Sequence, residues 1–147
     1  MEPGTRRTMV FMGSIAPPDH DARVTAVRAR LDDVTGGEPG PDELALLVRL
    51  LRAFAVRAPE AAEQVITLLS SGSEDLRDRA HALKGSAANI GAAGLSALCA
   101  SIEQDARAGV RPDPVATAEM LRAETAAVLR AVTEVADAYE ERRTRYR

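Results

Sequence analysis

The stretch LRDRAHALKGSAANIG, residues 76–91, is the most informative part of the sequence about the fold. Apolar residues recur within this stretch at every third or fourth position, the spacing that collects side chains on one face of an α-helix. This core stripe consists of Leu76, Ala80, Leu83, Ala87 and Ile90. At about 100° per residue, His81 lies roughly 140° from the centre of the stripe. The sequence therefore predicts an amphipathic helix with a solvent-facing histidine.

The face around His81 carries cations and small residues rather than bulky side chains. Arg77, Lys84, Gly85 and Ala88 share it with the histidine. A glycine within a helix costs roughly 1 kcal/mol relative to alanine, so Gly85 requires a compensating role. We interpret that role as access, because a bare patch one turn from the imidazole lets another protein's active site approach the ring.

The small residues form a predicted docking strip. On an ideal helix His81, Gly85, Ala88 and Ala92 fall within about 40° of one another. Arg77 and Lys84 would flank this strip and guide an acidic partner surface onto it. We therefore predict that Arg77, Gly85, Ala88 and Ala92 contact a partner protein.

Apolar spacing and capping signals predict helices along the rest of the chain. The predicted segments are 21–35, a helix starting at Gly40-Pro41-Asp42-Glu43, a separate one from Pro59 to Ser70, the histidine helix capped by Ser73, 95–109, and one from Asp113-Pro114 to Tyr139. No segment alternates like a strand. The expected fold is all-α, an antiparallel four-helix bundle with additional N-terminal helices. Residues 1–20 are predicted to be a disordered leader, 21–140 a single helical domain and 141–147 a frayed basic tail.

Composition excludes several classes of protein. A length of 147 residues fits one domain, and a net charge of −3 lacks the basic footprint of a nucleic-acid-binding protein. Cys99 is the single cysteine, so no disulfide framework is expected. Arg6-Arg7 precede an apolar stretch that is too short for an export signal, and no run is long enough to span a bilayer. We expect a cytoplasmic monomer.

A second residue belongs beside His81. If the chain bends at residue 92, His81 and Glu103 stand at the same height on two antiparallel helices. Glu103 lies at the edge of the buried stripe of its helix, about 80° from Leu95. A carboxylate there can accept a hydrogen bond from Nδ1–H of His81, which leaves the Nε2 lone pair facing solvent. With Lys84 to neutralise an arriving anion, the set suits phosphoryl acceptance.

The run from Ala80 to Gly91, AHALKGSAANIG, strongly resembles the signature of histidine-containing phosphotransfer (HPt) domains. The resemblance continues through Leu95 and Cys99 to Ile102-Glu103 and Ala106-Arg107. It is specific over about 76–109 and looser over 42–75 and 113–139.

The resemblance implies a role for each matching position. His81 would be the phosphorylated residue and Lys84 the cation that faces the phosphate. Gly85 would leave room for a receiver domain. Glu103 would bond the inner nitrogen of the histidine, at a position where the family has Glu or Gln. The aspartate and the Mg²⁺ would belong to the partner receiver, so neither a cofactor nor a metal site is expected in this chain.

The implied function is phosphoryl transfer on His81 between receiver-domain aspartates of a multistep two-component phosphorelay. Expected partners are response-regulator receiver domains and a hybrid histidine kinase, and the residues fit a free-standing protein and a domain of such a kinase equally. Ala82 follows His81 where a dimerising histidine-kinase helix has an acidic residue, and no GxxxxGK[ST] loop is present, so no ATP-dependent kinase activity is expected.

Two other classes of function account for part of this pattern. A phosphorylation-independent module could bind and inhibit a receiver or kinase through the same surface, but pure docking would not need the set of His81, Lys84 and Glu103. A metal-binding bundle would need Glu-x-x-His pairs on two helices, and the sequence contains none.

Overall fold

The computed structural model describes residues 19–71 and 74–146, and every regular element within them is a helix. These helices are α1 (His20–Thr35), α2 (Pro41–Leu68), α3 (Glu74–Asn89), α4 (Ala93–Arg107) and α5 (Pro114–Thr144). The predicted all-α class is confirmed. None of the described helices is long and apolar enough to cross a membrane.

Side-chain and backbone caps determine where the helices begin. The Asp19 carboxylate accepts a hydrogen bond from the Ala22 amide at 2.8 Å at the start of α1. Asp113 does the same for the Val115 amide of α5 at 3.0 Å. These bonds satisfy amide donors that have no partner within the first turn of a helix. The predicted cap of α3, Ser73, lies outside the described residues.

α2 is a single helix, so the prediction of a separate segment beginning at Pro59 is wrong. Pro59 lies inside α2, where its ring removes one backbone hydrogen bond and crowds the preceding turn. The apolar stripe nevertheless continues through it, because Phe54, Ala58, Ala62 and Val65 are all buried on the same face. Burial of that continuous stripe outweighs the local cost of the proline.

Helices α2 to α5 form the four-helix bundle, with α2 packed mainly on α5 and α3 mainly on α4. The predicted core stripe of α3 is buried along its whole length, from Leu76 to Ile90. The hairpin of α3 and α4 is antiparallel, since Lys84 contacts Ser96 while His81 contacts Glu103. The turn between them therefore places the middle of α3 beside the second half of α4.

α1 is the one additional N-terminal helix among the described residues, and it packs against α5. Arg23 donates two hydrogen bonds to the Glu124 carboxylate of α5, at 2.6 and 3.0 Å. α1 also lies against the α3–α4 turn, where the Arg30 guanidinium donates to the Asn89 carbonyl at 3.1 Å. Gly91 in this turn has φ +84°, and a Cβ there would lie 2.6 Å from the Ala26 carbonyl oxygen. Only glycine fits both conditions.

The ends of the chain differ from the predicted boundaries where they are described. α1 begins at His20, the last residue of the predicted leader, and residues 1–18 lie outside the described residues. α5 continues to Thr144, past the predicted start of the frayed tail at 141. Arg142 in that last turn pairs with Glu38 at 2.8 Å, which ties the end of α5 to the α1–α2 connection.

Candidate functional site

His81 stands on the exposed face of α3 with one ring nitrogen anchored. Its side chain is 63% exposed, and Nδ1 lies 3.0 Å from Oε2 of Glu103 on α4. The predicted juxtaposition of these two residues across the hairpin is therefore present. The α3 helix positions the ring, and α4 supplies the group that orients it.

Glu103 is almost completely buried and accepts three hydrogen bonds. Lys84 Nζ donates to Oε1 at 2.7 Å, and Arg107 donates to Oε2 at 2.8 Å, the atom that also contacts His81. The hydrogen bond from Lys84 is the main cause that lowers the pKa of Glu103 to about 2; burial opposes it, and Arg107 and His81 assist. Glu103 is therefore ionised throughout the neutral range. Glu103 was predicted to lie at the edge of the buried stripe of α4, and in the structure its side chain is more deeply buried than that position implies.

An ionised Glu103 decides the tautomer of His81. A carboxylate can only accept hydrogen bonds, so Nδ1 must carry the hydrogen of the neutral ring. The lone pair then resides on Nε2, on the solvent side. Nε2 is therefore the ring atom whose lone pair is available to an electrophile.

Lys84 is half-buried, and its ammonium is bound to Glu103 in this structure. Its nitrogen has three donors, so one of them can still face an anion at Nε2 of His81. Arg77, one turn before His81, is half-buried on the same helix, and its guanidinium lies 3.6 Å from Asp78. Both predicted cations therefore border the exposed histidine face.

Gly85 and Ala88 are exposed on α3, as the docking strip requires. A Cβ built on Gly85 would meet no atom within 4 Å, so the space above this glycine is open. Packing within the bundle therefore does not explain the glycine.

Ala92 does not belong to the docking strip, and its predicted partner contact is wrong. It is only 4% exposed, and it occupies the N-cap position of α4. α3 ends at Asn89, and the left-handed Gly91 turns the chain inward, so helical extrapolation from His81 does not reach residue 92. The strip is shorter than predicted and ends at Ala88.

Arg107 also belongs to this site, although no role was predicted for it from its position in the sequence. Four positions after Glu103 on α4, it forms an i,i+4 ion pair with that carboxylate. The spacing was readable in the sequence, because acidic and basic residues four positions apart face one another on a helix. What the spacing alone does not reveal is that the shared carboxylate also holds His81 and Lys84.

An apolar groove of about 420 Å³ lies beside the Gly85 flank of α3, between α1, α2 and α3. Its lining includes Leu50 and Phe54 of α2, Ser86 and Asn89 of α3, and Ile90. Leu50 is exposed although it is a large apolar residue. Within residues 19–71 and 74–146, no group of three or more His, Cys, Asp or Glu side chains is placed to hold a metal ion.

Comparison with known proteins identifies the family of the chain. A family model described as the Hpt domain matches residues 49–139, more than half of the chain, so the chain belongs to the Hpt domain family. It is therefore a histidine phosphotransfer protein that acts in a phosphorelay, and its family comprises phosphoryl carriers that interact with receiver domains and kinases.

Among solved structures, the chain is similar to the crystal structure of histidine-containing phosphotransfer protein B (HptB) from Pseudomonas aeruginosa PAO1. The two are 27% identical with a TM-score of 0.55, and the match covers 82% of this chain and 93% of HptB. A search of curated protein sequences gives no match.

Proposed function

We propose that His81 accepts a phosphoryl group on Nε2 from the phosphoaspartate of one receiver domain and donates it to the aspartate of another. The observation that carries this proposal is the contact of Nδ1 with the buried carboxylate of Glu103, 3.0 Å away, on a ring whose other nitrogen faces solvent. The only other histidine of the chain, His20, contacts the exposed Glu134 instead.

In the transfer step the Nε2 lone pair attacks phosphorus, the N–P bond forms and the bond to the aspartyl oxygen breaks. The receiver's aspartate leaves as a carboxylate. Because Nδ1 keeps its hydrogen, the ring gains positive charge as the lone pair is used. Glu103 is ionised, fixed and shielded from water, so it stabilises this charge without reorganising. Reversal of the same step returns the group to a receiver.

The three equatorial oxygens of the transferring group carry negative charge that the site must balance. Lys84 and Arg77 each lie one turn from His81 on the same face of α3. We assign the first to phosphoryl neutralisation and the second to the rim of the docking surface. The Mg²⁺ of the reaction belongs to the receiver, and this chain supplies neither a cofactor nor ATP-dependent kinase activity.

The receiver would dock over His81, Gly85 and Ala88. The open space above Gly85 supports this, since it admits a neighbouring main chain close to Nε2. The apolar groove beside this strip extends the surface toward Leu50 of α2. Arg30 and Arg57 also line the groove, and their positive charge suits an acidic partner. We place the protein in the cytoplasm, where it would meet the receiver domain that donates the phosphoryl group and the one that accepts it.

The test uses the two histidines as a matched pair. Purified protein is incubated with a phosphorylated receiver and Mg²⁺, and the label on the chain is measured. We expect an acid-labile, base-stable label on wild type and on His20→Gln, and none on His81→Gln. Label retained by His81→Gln would overturn the assignment. Incubation with ATP alone should label none of the three proteins.

A further inference from the structure

Glu103 shares its two oxygens among three donors from two helices. Oε1 binds Lys84 at 2.7 Å, and Oε2 binds His81 at 3.0 Å and Arg107 at 2.8 Å. The carboxylate is buried, whereas 59% of the Arg107 side chain is exposed. The cluster thus places two full positive charges on a single buried negative charge.

The proposed chemistry makes a conflicting demand on Lys84. In the unphosphorylated protein its ammonium is bound to Glu103. Once His81 is phosphorylated, the same ammonium must also balance the charge of the phosphoryl group on Nε2. A buried carboxylate deprived of its cation is strongly destabilised and takes up a proton instead. A protonated Glu103 would hold the Nδ1 hydrogen less firmly and would no longer balance the positive charge of the phosphorylated ring.

We propose that Arg107 is a positioning residue that keeps Glu103 ionised and in place while Lys84 turns toward the phosphoryl group. Its guanidinium binds Oε2, so the Oε1 contact with Lys84 can lengthen without leaving the carboxylate uncompensated. The i,i+4 spacing on α4 holds the guanidinium there independently of α3. This inference rests on the proposed role of His81, and it assigns Arg107 no contact with the phosphoryl group.

The rival explanation is direct contact. An exposed arginine near the histidine could bind the phosphoryl oxygens or the receiver surface, and its loss would also slow transfer. The two explanations differ in how Arg107 depends on Glu103. If Arg107 acts through the carboxylate, its removal matters only while the carboxylate is present.

The experiment is a double-mutant cycle of Arg107→Gln and Glu103→Gln, with the rate of transfer from a phosphorylated receiver as the readout. We expect Arg107→Gln to slow transfer roughly five- to tenfold in wild type and less than about twofold in the Glu103→Gln background. Glutamine is an acceptor that the family tolerates at this position, so the background should still transfer. Arg107→Lys should restore most of the rate.

A second readout does not depend on transfer. Carbon NMR of the unphosphorylated protein should report a raised pKa of Glu103 in Arg107→Gln, because one of its hydrogen-bonded cations is removed. Arg130→Gln, which removes an exposed arginine of α5, is the control and should change neither the rate nor that pKa.

The outcomes separate this inference from the proposed function. Equal slowing by Arg107→Gln in both backgrounds would assign Arg107 to direct contact and overturn the inference. A wild-type rate and an unchanged pKa of Glu103 in Arg107→Gln would also overturn it, while His81 would remain the phosphoacceptor. Label on His81→Gln, in contrast, would refute the proposed function itself.

Discussion

Glu103 is buried and yet ionised, a combination that depends on its donors. Burial alone makes a carboxyl group hold its proton more tightly. Hydrogen bonds from Lys84, then from Arg107 and His81, outweigh this effect and lower the pKa of Glu103 from 4.5 to about 2. The folded protein therefore binds a proton at this site more weakly than the unfolded chain does.

This depressed pKa predicts a pH dependence of stability. The ionised carboxylate stabilises the folded state at pH values above its unfolded pKa, and the contribution is lost as the pH falls through the window from 4.5 to about 2. We expect the free energy of unfolding of wild type relative to Glu103→Gln to be constant above about pH 5 and to decrease through that window. Urea unfolding followed by circular dichroism measures it.

Glu119→Gln is the control, because it removes an exposed carboxylate from α5. Nitrogen NMR of the same Glu103 variant should show a mixed tautomer signature for His81, since glutamine offers both a donor and an acceptor to Nδ1. A stability difference that does not change between pH 5 and pH 2 would contradict the ionised state of Glu103.

The α3 helix has two faces with opposite requirements. One face fills the core from Leu76 to Ala87, and the other presents His81, Gly85 and Ala88 to solvent. Larger side chains at the small positions would favour the helix, since both alanine and leucine form helices better than glycine. The smooth face therefore reflects the partner that must approach Nε2, not the stability of the helix.

Gly85→Leu separates these two requirements. We expect the free energy of unfolding to stay the same or rise by about 0.5–1 kcal/mol, because the added side chain meets no atom of the bundle. Transfer from a phosphorylated receiver should fall at least tenfold in rate, roughly the effect of 1.4 kcal/mol on a barrier, because the leucine blocks approach to the ring. Thermal unfolding and the labelling assay measure the two effects.

Two variants serve as controls for Gly85→Leu. Gly85→Ala should give a similar gain in stability with a smaller loss of transfer, because it adds one methyl group. Ala123→Leu adds comparable bulk to an exposed position of α5 and should leave transfer unchanged. Unfolding of Gly85→Leu would make Gly85 a packing residue, and wild-type transfer by a folded Gly85→Leu would place the receiver elsewhere.

The assembly of the five helices depends on close contact between α1 and the α3–α4 turn. Gly91 has a left-handed backbone and lies against the main chain of α1, at Ala26 and Val27. Arg30 adds a hydrogen bond to the end of α3 at Asn89. α1 thereby stabilises the α3–α4 turn, and this turn places His81 of α3 opposite Glu103 of α4.

Gly91→Ala tests this contact. We expect it to lower the free energy of unfolding by about 2–4 kcal/mol, because the methyl group adds a clash with α1 to the cost of a left-handed alanine. Gly109→Ala is the matched control: its φ of +74° is similar, but nothing lies within 4 Å of an added Cβ. It should therefore cost only about 1 kcal/mol. Equal losses in the two variants would show that contact with α1 adds nothing. Denaturant unfolding measures both.

Local patterns in the chain were sufficient for the class of fold and for most of the site. The apolar spacing of 76–91 fixes which side of α3 is buried, because a helix advances by a constant angle per residue. The same rule, applied on both sides of a bend, brought His81 and Glu103 together, and the structure places them in contact. The exposure of Gly85 and Ala88 follows from that rule as well.

Local patterns could not predict features that depend on contacts between distant segments of the chain. Pro59 reads as a helix start, and only the burial of its neighbours against the rest of the bundle keeps α2 continuous. Ala92 extrapolates to the docking strip, but α3 ends at Asn89 and the left-handed Gly91, which lies against α1, turns the chain inward before Ala92. The depth of Glu103 and its sharing among three donors likewise arise where α3 and α4 meet. Angular periodicity is a property of a single helix and can be calculated from the sequence of that helix. Burial and charge sharing depend on contacts between several helices, and those contacts form only when the helices pack.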